Sequence, residues 1–344
     1  MKATYHQYIL NFKQPSGTSR GVLRTKETWF IVLESEGNRG IGECGILRGL
    51  SADDRPDYED QLQWTCNNIE MGLDALLEKN REFPSIQFGL EMAFRSLAST
   101  SPFLLFETNF TKRTDAIPIN GLIWMGDEAF MKQQIAAKIE TGFGCIKMKI
   151  GAIDFDTEIG LLQSIRKEFS SKDIELRVDA NGAFTPEEAL EKLKRLSNLD
   201  LHSIEQPIKQ GQFEEMAALC EKTPLPIALD EELIGVYDSK ERAKLLDAIN
   251  PQFIILKPSF IGGYHGSEEW IKMAEERQIG WWVTSALESN VGLNAIAQWT
   301  YTLYQNQPQG LGTGSLFTNN FESPLEVKKG ALHYNNTLHW NFNL

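Results

Sequence analysis

Six charged residues stand where a buried strand should be apolar. Lys147 and Lys149 lie in the run CIKMKI (145–150), Asp179 closes ELRVD, Glu205 closes LHSIE, Asp230 closes PIALD and Lys257 closes FIILK. Side chains alternate along a strand, so Lys147 and Lys149 share one face while Ile146, Met148 and Ile150 share the other. Two buried ammonium groups are costly unless negative charge stands close by. The carboxylates ending the next three runs supply it. Three converging carboxylates, completed by water, suit a hard octahedral cation such as Mg²⁺, with Mn²⁺ as a substitute. No His or Cys occupies these positions, which disfavours zinc. Such an ion polarises a substrate carboxylate and stabilises an enolate beside it. A lysine takes an α-proton only when neutral, so its pKa must fall from roughly 10.4 toward about 7–8. A second lysine two residues away and a divalent ion do this by like-charge repulsion.

Regular elements must carry these residues. The positions 149, 179, 205, 230 and 257 are separated by 30, 26, 25 and 27 residues, the length of a strand–helix unit with two short loops. Eight apolar runs fit that rhythm: 117–124, 145–150, 175–181, 201–207, 226–232, 253–259, 281–287 and 310–314. Helical stretches lie between them, including 156–169, 185–196, 213–221, 239–249, 267–277 and 293–304. Thr185, Pro186 and Glu188 form a capping-box signature at one helix start. The expected fold is α/β, a (β/α)8-type barrel (a modified TIM barrel), with charged residues at the C-terminal strand ends where barrel active sites lie.

The first hundred residues differ. Strand-like runs at 3–12, 28–35 and 39–44 precede helical runs at 58–78 and 85–99, which reads as an α+β module. The Gly- and Ser-rich stretch QPSGTSRG (14–21) reads as a mobile loop. The expected division is an N-terminal α+β domain at 1–112, a barrel at 113–320 and a C-terminal segment at 321–344. That segment has strand character and is expected to return to the first module.

Composition is that of an ordinary globular protein, with 34 basic and 47 acidic residues and a net charge of −13. That balance argues against nucleic acid or an anionic membrane surface as a partner. No apolar run is long enough to span a bilayer, and the N-terminal residues lack a signal-peptide core. Cys44, Cys66, Cys145 and Cys220 are scattered without a CxxC pair and read as reduced packing residues of a cytoplasmic protein. The five histidines read as structural, His265 in a loop after Gly262 and Gly263. The sequence sets no oligomeric state.

The motifs KMK (147–149), DAN (179–181), EQP (205–207), DEE (230–232) and KPS (257–259) together resemble the muconate-lactonizing-enzyme branch of the enolase superfamily. The resemblance covers nearly the whole chain and implies that the N-terminal module is a capping domain. It implies that Asp179, Glu205 and Asp230 ligate Mg²⁺, that Lys149 is the base and Lys147 tunes it, and that Lys257 is an acid/base or a cationic stabiliser. Asn181 and Gln206 would support the metal shell or face the substrate. Within the branch, KPSFIGG (257–263), TSALESNVGLNAIAQ (284–298) and GLGTGSLF (310–317) look most like the o-succinylbenzoate synthase family. That likeness implies a hydro-lyase of menaquinone biosynthesis acting on a small-molecule carboxylate, 2-succinyl-6-hydroxy-2,4-cyclohexadiene-1-carboxylate, by syn dehydration through a metal-stabilised enolate. Ser285, Gly262 and Gly263 would then line the pocket around the succinyl arm, under the capping loops Ser16–Arg24 and Gly45–Leu50.

The same two-lysine set serves N-acylamino-acid racemases and dipeptide epimerases, which remain alternatives. Dipeptide epimerases usually carry Asp-x-Asp at the eighth strand, where this chain has Leu311 and Thr313. GLGTGS lacks both the full GxGxxG pattern and a Walker lysine, which argues against nucleotide binding. Glu231 and Glu232 read as an extension of the fifth strand, with Glu232 on the face of Asp230.

Overall fold

The computed structural model describes residues 1–18 and 21–344. Its first layer is an antiparallel sheet of β1 (Lys2–Thr18), β2 (Gly21–Ser35) and β3 (Asn38–Gly45), in that order. Helices α1 (Tyr58–Asn67), α2 (Leu73–Lys79) and α3 (Pro84–Leu97) follow. Helix α3 lies so close on β3 that a Cβ on Gly42 would sit 1.8 Å from the Gly89 carbonyl oxygen. Two glycines are therefore what lets helix backbone touch strand backbone.

The stretch expected to be a loop at 14–21 is strand up to Thr18, with Ser16 opposite Leu23 and Gly17 opposite Val22 after a register shift. Pairing with β2 overrides the low strand propensity of Gly and Ser, as a long hairpin allows. Ser19 and Arg20, within that stretch and within the expected capping loop, lie outside the described residues. The expected single helix over 58–78 is interrupted where Gly72 adopts φ of 80°, a conformation open to glycine and not to a helix.

The second unit alternates. Its elements are β4 (Ile117–Pro118), β5 (Gly121–Ile123), α4 (Glu128–Glu140), β6 (Cys145–Lys149), α5 (Phe155–Glu168), β7 (Glu175–Asp179), α6 (Pro186–Ser197), β8 (Ser203–Glu205) and α7 (Phe213–Lys222). They continue with β9 (Ile227–Leu229), α8 (Ser239–Ile249), β10 (Phe253–Leu256), α9 (Pro258–Ile261), α10 (Gly263–Glu276), β11 (Gly280–Val283) and α11 (Asn290–Thr302). Strands β5 to β11 form one seven-stranded sheet in sequential order, and the pairs are parallel.

The eighth strand is reduced to a dipeptide. Gln309 pairs with Ile119 and Gly310 with Thr284, both in parallel sense, so two residues bridge the edges of the sheet and close the barrel. Residues 311–314 do not continue as strand, as expected of a segment with glycine at 310, 312 and 314. The expected first strand, 117–124, is likewise split. β4 leaves the barrel to pair with β13 (Ala331–Tyr334), itself paired with β12 (Leu325–Lys328). Phe342 returns to the N-terminal sheet, its ring centroid 5.3 Å from that of Phe30. Helix α4 escaped the sequence reading because its apolar residues are spread around it and only Met131 and Ile135 are buried.

Candidate active site

Strand β6 sets the site. Ile146, Met148 and Ile150 are buried in the main hydrophobic core, which turns Lys147 and Lys149 to the opposite face, as alternation requires. The parallel register puts Lys149 beside Asp179 and Asp179 beside Glu205. Lys149 Nζ donates to Asp179 Oδ2 at 2.8 Å and to Asn181 Oδ1 at 2.7 Å. Lys147 Nζ donates to Asp179 Oδ2 at 3.1 Å and Glu205 Oε2 at 2.5 Å. Lys257 donates to Asp230 from the far side, and its Nζ is 3.8 Å from Glu205 Oε1. All three lysines and all three carboxylates of the expected set are thus brought together.

The electrostatics follow from this packing. Burial alone would push Lys147 down, but Glu205 and Asp179 outweigh it and hold its pKa above the ordinary lysine value. Lys257 is likewise opposed by burial yet held above its ordinary value by Asp230 and Glu205. Burial would raise Asp179, and the attraction of Lys149 and Lys147 wins, so its carboxyl stays well below the usual range. Glu205 goes the other way: burial, with repulsion from Asp179 and Asp230, pushes it up to about 8.

Among the described residues, no three histidine, cysteine or carboxylate side chains already stand at ligand spacing; lysine ammoniums bridge the carboxylates instead. The residues nevertheless fit a hard cation. Glu205 Oε1 is buried without a hydrogen-bond partner, and a buried carboxylate oxygen so placed calls for positive charge. The donor set is all oxygen, which suits Mg²⁺.

The remaining expected residues divide. Asn181 (φ 45°) lines the pocket that holds the lysines, accepts from Lys149 and donates to Glu231 Oε1 at 3.0 Å. Ser285 also lines it, bonded to Thr313 Oγ1 at 2.8 Å. Gln206 does not. It is fully buried, donates to Glu232 at 2.8 Å and accepts from the Asp230 N–H at 3.2 Å, so it braces the turn behind the carboxylates. Gly262 and Gly263, expected in the pocket wall, do not line it either. Both adopt positive φ (97° and 72°) as the chain turns from α9 into α10, and they face the N-terminal module. Gly262 lies against Gln87 in a separate cleft between the units, and Gly263 packs on the Glu91 carboxylate. Their role is close approach of backbone to α3. His265, expected in a loop, lies in α10. Glu231 and Glu232 do not extend a strand. They form a buried turn in which Leu233 N–H bonds the Asp230 carbonyl at 3.1 Å.

The lysine pocket draws on both units. Leu23, Leu47 and Leu50 enter from the N-terminal module, and Trp124, Phe260 and Thr313 from the barrel rim. No residue-type signal in the sequence marks Trp124 and Phe260 as pocket residues. Their signal was position, since each closely follows the C-terminal end of a barrel strand.

Comparison with known proteins agrees with this architecture. Residues 131–337 match the family model described as enolase C-terminal domain-like, and residues 1–97 match that of the MenC N-terminal domain. The chain is 48% identical to the o-succinylbenzoate synthase of Desulfotalea psychrophila, over 96% of this chain and 98% of that protein. A crystal structure of MenC from Desulfotalea psychrophila superposes with a TM-score of 0.86 at 45% identity, covering 97% of this chain and 99% of that one. The L-Ala-D/L-Glu epimerase of Bacillus subtilis shares the fold, with a TM-score of 0.80 at 19% identity over 97% and 96% of the two chains. With its two matching domains and its near full-length relative, the chain belongs to the enolase superfamily and, within it, to the o-succinylbenzoate synthase family.

Proposed function

We propose that this chain dehydrates 2-succinyl-6-hydroxy-2,4-cyclohexadiene-1-carboxylate to o-succinylbenzoate, a hydro-lyase step of menaquinone biosynthesis. The observation that carries the reading is the 48% identity over 96% of the chain to a protein named o-succinylbenzoate synthase. The two-lysine, three-carboxylate cluster supports it. Lys149, held between Asp179 and Asn181, removes the proton α to the ring carboxylate. The C–H electron pair enters the ring, and Lys149 returns the proton to the hydroxyl departing on the same face, so that water leaves and the ring becomes aromatic. Lys257 stays an ammonium and faces the developing negative charge. Lys147 bridges Asp179 and Glu205 and fixes their carboxylates. Asp179, Glu205 and Asp230 would hold Mg²⁺, which supplies fixed positive charge to the substrate carboxylate. The pocket end near Ser285 and Thr313 takes the succinyl arm.

Epimerisation of dipeptides is disfavoured. Thr313 in the pocket is neutral and Leu311 is buried in the core, so neither offers a carboxylate to a substrate amine. The four cysteines are buried and free, which supports a reducing, cytoplasmic setting; no helix among the described residues is long and apolar enough to cross a membrane. The reading is tested by incubating the Mg²⁺-loaded protein with the cyclohexadiene and identifying the product by NMR. Stoichiometric o-succinylbenzoate is expected. Unchanged diene, with α-proton exchange on N-succinyl amino acids in D₂O, would favour the racemase instead.

A further inference from the structure

The pocket has two aromatic flanks, and each stands beside one lysine. Lys149 Nζ lies 5.9 Å from the centroid of the Trp124 ring, and Lys257 Nζ lies 5.9 Å from that of Phe260. Both rings line the pocket, with leucines from both units beside them.

Trp124 is held with unusual care for a rim residue. Its backbone N–H donates to Gln134 Oε1 at 2.9 Å, and its carbonyl accepts from Gln134 Nε2 at 3.0 Å. One side-chain amide of α4 thus satisfies both main-chain groups of this residue. The next residue, Met125, pairs with Gly17 of β1. There a Cβ on Gly17 would stand 2.7 Å from the Met125 carbonyl oxygen, so the N-terminal hairpin seats directly on the turn that carries the tryptophan. Two elements, α4 and the N-terminal hairpin, thus fix the backbone that carries this ring at the mouth of the site.

An indole on a held backbone beside the base offers a flat π-face, which gains from an offset-stacked planar partner and little from a branched chain. We propose that Trp124 is a specificity-determining residue that takes the face of a six-membered ring carboxylate, and that Gln134 is the positioning residue that fixes the backbone carrying it. The inference rests on the ring substrate proposed above and deepens that reading. The substrate ring carries two tetrahedral carbons that flatten as water leaves, so the stacking strengthens along the reaction. An interaction stronger in the transition state than in the substrate complex raises the rate as well as the affinity.

The test is calorimetric titration of the Mg²⁺-loaded protein with o-succinylbenzoate and with N-succinylvaline, an acyclic acyl amino acid bearing the same succinyl arm. Wild type, Trp124→Leu, Trp124→Phe and Gln134→Leu are compared, with thermal midpoints as the check on folding. In Trp124→Leu the Kd for o-succinylbenzoate is expected to rise about tenfold, the scale of one well-placed aromatic contact with its buried area, while that for N-succinylvaline stays within about threefold. Trp124→Phe should lose less. Gln134→Leu should repeat the selective loss at about threefold. Equal weakening of both ligands, an unchanged Kd for the ring ligand, or a wild type with no preference for it would overturn the proposal. A wild type that prefers the ring ligand yet leaves the diene intact would overturn the dehydration reading and leave the role of Trp124 supported, so the two failures are distinguishable.

Discussion

Lys149 and Lys257 grip opposite ends of one carboxylate row: Lys149 donates to Asp179, the first of the three acids, and Lys257 donates to Asp230, the last. Between them Glu205 is reached by Lys147 and approached by Lys257. A substrate entering this cleft meets an amine on each flank, but the two are not equivalent. Lys149 also donates to the Asn181 side chain, whereas burial opposes the charge on Lys257 and Asp230 and Glu205 outweigh it, raising it above its ordinary value.

That asymmetry separates the two roles. Lys257→Ala should lower kcat by about 10²–10³, the effect of removing one preorganised charge at a developing anion. Lys257→Arg should recover about tenfold of the loss, because charge is all that is required. Steady-state kinetics decides. An arginine variant as inactive as the alanine variant would mean that Lys257 transfers a proton.

EDTA treatment should reduce activity below about 1%, with Mg²⁺ or Mn²⁺ restoring it. Binding should also stabilise the fold, by about 2.7 kcal/mol at a hundredfold excess over Kd. The rise in Tm with Mg²⁺ is expected to vanish in Glu205→Gln. A Tm indifferent to Mg²⁺ in wild type would contradict the assignment of Asp179, Glu205 and Asp230 as ligands.

How far the sequence foretold this site depends on the kind of signal each residue carries. The six charged residues were legible only together, because lysines and carboxylates recur in one register along successive apolar strands and strand alternation fixes their direction. Gly262 and Gly263 follow Lys257 closely in sequence and were drawn toward the pocket by adjacency, while Gln206 stands behind the carboxylates and not in the pocket wall. Where the chain turns at Gly262 and Gly263 it approaches α3 and not the pocket, and such packing leaves no periodic trace. Trp124 escaped because an aromatic residue at a strand end is chemically silent until the strand's last paired residue, Ile123, is known. The eighth strand failed for a related reason: pairing at Gln309 and Gly310 depends on the two sheet edges they bridge and not on local propensity.

Glu91 on α3 docks the two units by accepting the backbone N–H of Tyr264 and of His265 at the start of α10, the latter at 3.0 Å. Burial is the largest influence on its carboxyl and raises it from 4.5 to about 7, against those hydrogen bonds. The folded state therefore holds the proton more tightly than the unfolded chain. The stability contributed by protonated Glu91 is fully present below about pH 4.5 and is lost as pH rises through about 7, an effect of up to about 3 kcal/mol. Urea titrations at pH 5 and pH 8 should show a smaller decline for Glu91→Gln than for wild type. Equal declines would remove Glu91 as a source of the slope.

Gly42→Ala should destabilise the N-terminal unit by about 2–3 kcal/mol. The added Cβ would meet the Gly89 carbonyl, which is helix backbone and cannot swing aside. The urea midpoint reports the change. A loss under about 0.5 kcal/mol would show that α3 shifts on the sheet at little cost.

The most direct measurement is the rate of diene loss, followed by ultraviolet absorbance, for Mg²⁺-loaded wild type and Lys149→Ala side by side, with circular dichroism to confirm that both are folded. The expected result is rapid conversion by wild type and a fall of at least about 10³-fold in Lys149→Ala, as removal of a proton-transfer group requires. A folded, metal-loaded Lys149→Ala that turns over within tenfold of wild type would contradict the account, because the base would then lie elsewhere.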